Sequence, residues 1–199
     1  MKKTLYILLV LLVLAACSTT SHLPEGEVLY TGIEKIEVED KLGTVAEENA
    51  LLEVEAALAY QPNGAFMGSS SLRSPLQVGL WTYNAYVDKA RKGLSKWLFD
   101  SFSTPPITIS HVSPATRAKV ATSLLQNYGY FRGNVNYELV SQKNPKKQKI
   151  TYRVKLDKPY LFDSIQYRFP VTEDSLLRTT AHEAYIRRGS QFSTLDLTN

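Results

Sequence analysis

One cysteine, three histidines and two tryptophans in 199 residues limit the chemistry this chain can carry. Cys17 stands alone, so no disulfide can form within the chain. His22, His111 and His182 are far apart in sequence. His182-Glu183 opens like a zinc-protease helix, but the position four residues after His182 is Ile186, so the second ligand of that helical face is missing. Phosphate-binding glycine motifs are also lacking. Gly64 to Gly68 has no following Lys-Ser/Thr to reach phosphate and metal, and no serine sits in a G-x-S-x-G turn. These absences predict a protein that is not an enzyme, with no catalytic residues, metal or cofactor. The formal charge of +4 falls to +2 without Lys2 and Lys3, which gives no case for nucleic acid as a partner. No apolar run reaches the roughly 20 residues that a membrane-spanning helix needs.

What is present begins at the N-terminus. Lys2 and Lys3 precede an apolar stretch from Leu5 to Ala16, the charged and hydrophobic regions of a secretory signal. Leu14-Ala15-Ala16-Cys17 resembles the lipobox of bacterial lipoproteins, in which the cysteine sulfur is acylated before cleavage. The resemblance implies that residues 1–16 are removed, that Cys17 carries acyl chains such as palmitate, and that 183 residues remain on a membrane. Each buried methylene adds about 0.8 kcal/mol, so two or three chains hold a protein without a spanning helix. Residues 17–26 read as a polar tether containing Pro24 and Gly26. Bacteroidetes lipoproteins sent to the cell surface resemble one another in carrying acids just after the cysteine. Here Ser18, Thr19 and Thr20 follow and the first acid is Glu25, which implies the periplasmic face.

Along the mature chain, Val28, Tyr30, Ile36 and Val38 alternate with polar neighbours and predict a strand, with an irregularity of the bulge kind at Gly32 and Ile33. Thr44 to Glu47 has the form of a capping box, and Leu51, Val54 and Leu58 share one helical face, stopped at Pro62-Asn63-Gly64. Residues 64–104 lack a clear period. Their aromatics around Trp81, Tyr83, Tyr86, Trp97, Phe99 and Phe102 are interleaved with Lys89, Arg91, Lys92 and Lys96, a pattern open to packing over the core or to an amphipathic helix at a membrane surface. Ser113-Pro114 reads as an N-cap with proline in the first turn, before a helix carrying Ala118, Ala121, Leu125 and Tyr128 and ending at Gly129. Val135, Tyr137, Leu139 and then Ile150, Tyr152, Val154, Leu156 predict a hairpin, its lysine-rich tip Gln142 to Gln148 a solvated turn. Ile165, Tyr167 and Phe169 predict a further strand, a helix follows from Thr172 to Gly189, and Ser193 to Asp196 resembles a second capping box. Such a terminal set cannot bury its apolar faces alone, so the pattern implies a continuation past Asn199.

In order, Val28 to Leu156 reads strand, helix, insertion, helix, strand, strand, and from Tyr160 the order restarts. This resembles the POTRA domain, whose second helix ends in Gly-Tyr before a hairpin, as Gly129-Tyr130-Phe131 does, and whose exit into a next copy resembles Lys158-Pro159-Tyr160 through Ile165. The resemblance implies an α+β fold: a three-stranded mixed sheet with two helices on one face. One copy spans residues 27–158 with an insertion at about 62–104, and a partial second copy spans 159–199. Leu23 to Glu27 after the lipobox, Gln61 to Gly64, Leu80 to Asn84 and Pro105-Pro106 are similar to the lipidated BamA/TamA-like proteins of Bacteroidetes, in the bacterial surface antigen family.

That resemblance implies an outer-membrane lipoprotein that assembles, inserts or translocates outer-membrane proteins. Its partners would be unfolded outer-membrane proteins or other subunits of the assembly machinery. Asn134, Val135, Asn136, Tyr137, Glu138 and Leu139 would lie at a sheet edge able to take a client chain as an extra strand. If the Asn136 amide faces outward, proline there or at Glu138 weakens such binding, and an inward amide shows itself as misfolding. A domain whose edge is covered by the insertion would be a docking spacer. The other class is a stand-alone envelope lipoprotein acting as a binding or structural module.

Overall fold

A computed structural model describes residues 19–89, 92–166 and 186–198. The described chain forms three strands, β1 (Leu29–Glu39), β2 (Asn134–Ser141) and β3 (Lys147–Lys155), in one sheet of order β1-β3-β2. Its helices are α1 (Val45–Leu58), α2 (Val78–Tyr86), α3 (Gly93–Phe102), the short α4 (Ile109–Val112), α5 (Pro114–Asn127) and α6 (Thr194–Thr198), with one 3₁₀ turn at Phe66–Gly68. The fold class is α+β with a mixed sheet. Pairing direction follows from the bonds: Leu29 N–H donates to the Lys146 carbonyl and Thr31 Oγ1 to the Gln148 carbonyl, so β1 and β3 run parallel. β2 and β3 are an antiparallel hairpin closed by Gln142 N–H on the Lys147 carbonyl. The chain divides into two units: residues up to 35 with 59–114 and 138–151, and residues 36–58 with 115–137 and 152–199.

In the first unit, Leu29 to Ile33 are buried without alternation, and this half of β1 has backbone partners on both sides. β3 lies on one side. On the other, Tyr30 N–H donates to the Ile107 carbonyl, Ile109 N–H to the Val28 carbonyl and Ile33 N–H to the Ser70 carbonyl. The irregularity expected at Gly32 is a left-handed φ of 115° within a continuous strand, where a Cβ would stand 2.8 Å from the Ser70 carbonyl oxygen. Residues 64–104, unassigned by period, fold into the 3₁₀ turn, α2 and α3. Both ends of this segment are held by Asn63, whose Nδ2 donates to the Pro105 carbonyl at 2.8 Å and whose Oδ1 accepts from Ile107 N–H at 2.6 Å. At the hairpin tip Lys149 pairs with Glu34 at 2.7 Å, and burial beside the Arg73 charge lowers the Lys147 pKa. Those two lysines therefore depart from the solvated turn expected of them. The segment expected to be a tether is engaged at two points: Thr20 is buried and His22 meets Asp88 at 2.8 Å.

In the second unit, Thr44 Oγ1 accepts from Glu47 N–H, as expected of a capping box. The buried Glu47 carboxylate accepts from Leu42 N–H at 2.7 Å and Gly43 N–H at 3.4 Å. It thereby anchors the loop before the helix as well as its first turn. Ala50, Leu51, Val54 and Leu58 form the buried face of α1. α5 lies beside it: Arg117 Nη1 donates to the Ala57 carbonyl at 2.9 Å and Tyr128 Oη to Glu53 at 2.7 Å. The expected cap at Ser113 takes another form, since Ser113 adopts φ 51° and donates its hydroxyl to Ser110, ending α4. At the other end of α5, Tyr130 N–H donates to the Leu125 carbonyl and Gly129 N–H to that of Gln126, a Schellman motif with Gly129 at φ 83°.

Beyond β3, Tyr160 N–H donates to the Gly129 carbonyl, Phe192 N–H to that of Tyr160, and Gln191 Nε2 to that of Tyr128. Phe131 stands between Tyr160 and Phe192, ring centroids 5.2 and 5.1 Å away. These described parts of 159–199 are thus bonded to the end of α5. Asp196 N–H donates to Ser193 Oγ at 3.4 Å, the expected second cap. Most of the strand expected at Ile165 to Phe169, and the helix from Thr172, lie outside the described residues.

Candidate strand-accepting edge

Backbone polarity along β2 is fixed by two bonds. At the hairpin end, Gln142 and Lys147 oppose each other, so the amides of Val140, Glu138, Asn136 and Asn134 point at β3. At the other end, Val135 N–H points away from β3 and donates to Thr122 Oγ1 of α5 at 3.0 Å. The two constraints agree in parity. Tyr137 and Leu139 therefore turn their amides away from the sheet, on the side where β2 has no neighbouring strand among the described residues. Of the two cases for Asn136 the inward one follows: its amide and that of Glu138 belong to the ladder, and proline at either would break the sheet.

The side chains follow the same period. The register sets Val135 opposite Val154, Tyr137 opposite Tyr152 and Leu139 opposite Ile150. The β3 members are fully buried. Val135 is buried too, yet Tyr137 and Leu139 remain 42% and 40% exposed, and Asn134, Asn136 and Glu138 are exposed on the other face. Alongside runs a groove of about 420 Å³ between α5 and β2, lined by Ala118, Lys119, Thr122, Val135 and Tyr137 among others. Small residues on α5 make it: Ala115 and Ala118 leave the room a larger side chain would fill. Burial pushes the hydroxyl of Tyr152, which lies opposite Tyr137, up to about 12 against an opposing pull from the Arg117 charge. The arrangement offers free main-chain donors and acceptors, a half-covered aromatic and a shallow apolar trough, which is what an added strand uses. Of residues 62–104, Ser70 instead accepts from Ile33 N–H of β1.

Cys17 lies outside the described residues. Of the histidines, His22 meets Asp88 and His111 stacks edge-on against Tyr60 with centroids 5.9 Å apart, while His182 is outside them. Among the described residues no three His, Cys, Asp or Glu side chains converge as a metal site, and no helix is long and apolar enough to cross a membrane. Thr122 was not legible as part of the edge, since nothing in a helical period marks the one hydroxyl that will meet a strand.

The chain is thus an α+β protein whose described residues form a three-stranded mixed sheet with β2 as an edge strand. It has 13% identity and a TM-score of 0.28 to the crystal structure of POTRA domains 3–5 of BamA from Haemophilus influenzae, over 89% of this chain and 85% of that one. No family model and no curated protein matches it. The fold assignment rests on strand order and direction rather than on that superposition.

Proposed function

We propose that this chain is a lipoprotein of the outer membrane, anchored by acyl chains at Cys17, that faces the periplasm and takes part in assembling outer-membrane proteins by accepting their extended segments at β2. The observation that carries the binding step is the pair of outward amides at Tyr137 and Leu139 beside the α5 groove. A client strand would satisfy these groups and cover Tyr137, gaining affinity that depends little on its own sequence. The lipobox and the ordered POTRA-like elements support the placement and the process.

Tyr137→Pro removes one outward donor without touching the ladder, and Asn136 before it is already extended, as a residue preceding proline must be. Losing one such bond, worth about 1 kcal/mol, together with the tyrosine ring, should weaken binding of an extended outer-membrane-protein peptide about tenfold or more. Titration by fluorescence anisotropy tests this. Equal affinity in folded Tyr137→Pro and Leu139→Pro variants would sink strand addition at this edge and favour the docking spacer.

A further inference from the structure

We propose that α3 lies in the interfacial layer of a phospholipid bilayer, forming a second membrane contact beside the acyl anchor; this rests on the reading of Cys17 as acylated. None of the residues of α3 is buried, although half of them are apolar. Leu94, Trp97, Leu98 and Phe102 recur at the spacing of one helical face, with Leu94, Trp97 and Phe102 being 71%, 56% and 47% exposed. Trp97 and Phe102 meet edge to face at 5.7 Å. The helix is held from another side, where Phe99 stacks on Tyr83 of α2 at 6.1 Å, and Lys96 pairs with Asp100 away from the apolar stripe. A short helix with an outward stripe of Leu, Trp and Phe and with lysines on its flank is the form of an interfacial helix.

The path of the N-terminal segment names the occupant. Thr20 is buried and His22 is held on Asp88, four residues before Lys92 at the N-cap of α3. Cys17 precedes His22 by five residues, a reach of at most about 18 Å. Acyl chains on Cys17 therefore bring the bilayer to the part of this unit that carries the stripe. Lys89, placed 5.7 Å over the Tyr86 ring, and the exposed Lys92 stand at the same end, suited to lipid headgroups.

The full chain purified from the cell envelope and reconstituted in phosphatidylcholine/phosphatidylglycerol vesicles tests this through tryptophan quenching by dibrominated lipid. Trp81 and Trp97 are the two tryptophans, and a Trp97→Phe variant isolates Trp81. The Trp97 emission should be quenched about twofold or more by bromine in the acyl chains. A Leu94→Glu/Phe102→Glu variant with unchanged circular dichroism should lose that quenching. Mass spectrometry of the same samples reads Cys17 separately. Quenched Trp97 with an unacylated Cys17 keeps this inference and removes the anchor. Trp97 unquenched by bromine but open to acrylamide overturns it whether or not Cys17 is acylated, and leaves the stripe to a protein partner.

Discussion

Asn63 and Ile107 are joined by a 2.6 Å hydrogen bond across 44 positions of sequence, and that bond ties together the two ends of the segment between them. Asn63 is buried and uses both ends of its amide, so Asn63→Ala would strand the Ile107 N–H and the Pro105 carbonyl at once. Each buried group left unsatisfied costs about 1–3 kcal/mol, and the variant should lose about 2–4 kcal/mol in urea denaturation. A loss below 1 kcal/mol would mean that the insertion is held elsewhere.

Gly129→Ala should also destabilise, for a different reason. The position needs φ 83°, and an added Cβ would stand 2.8 Å from the Phe192 carbonyl oxygen. The cost should exceed the 1 kcal/mol or so of a relaxed left-handed alanine, because backbone must move. Thermal unfolding reads the cost, and faster amide exchange at Phe192 in the variant would locate it.

Alkaline stability has a defined direction. Burial, with Glu53 accepting its hydroxyl and adding negative charge, pushes Tyr128 up to about 12, and burial is the main cause of the similar rise at Tyr152. An unfolded tyrosine titrates near 10. Between those values the native state holds more protons than the unfolded chain, so stability is fully present below about pH 10 and falls as pH rises towards 12. Denaturation midpoints measured from pH 8 to 11.5 should stay level and then drop. Tyr128→Phe should flatten part of that drop.

At the N-terminus, Cys17→Ala should abolish acylation and leave unprocessed precursor, read by mass spectrometry and membrane fractionation. With Ser18, Thr19 and Thr20 after the cysteine, protease added to intact cells should spare the mature protein. Digestion would place it on the outer surface instead.

The elements that were legible in the sequence are those whose signals are local. Thr44 with Glu47, Gly129 closing α5, and the alternation through Val135, Tyr137 and Leu139 each lie within one turn or one strand. α2 and α3 were not legible, because Gly79 and Gly93 sit in their first turns and much of the apolar surface of α3 is exposed, so no buried period stands out. The Asn63 clamp joins residues more than forty positions apart, and no local pattern encodes such a bond. At the candidate edge, alternation gave the face of each side chain but not the direction of each amide. That direction depends on which side of β2 its partner strand lies.

The parallel pairing of β1 with β3 also sets an order in time. Thr31 bonds to Gln148 across 117 positions, so at 5–20 residues per second β1 is synthesised roughly 6–23 s before its partner exists. Until then the first strand lacks its β3 neighbour and can bond only on its other side, to Ser70 and Ile107. Loop-closure entropy across that span makes docking of β1 a slow event of folding, and a chaperone that held residues 29–39 through those seconds would act where the topology leaves the chain most exposed.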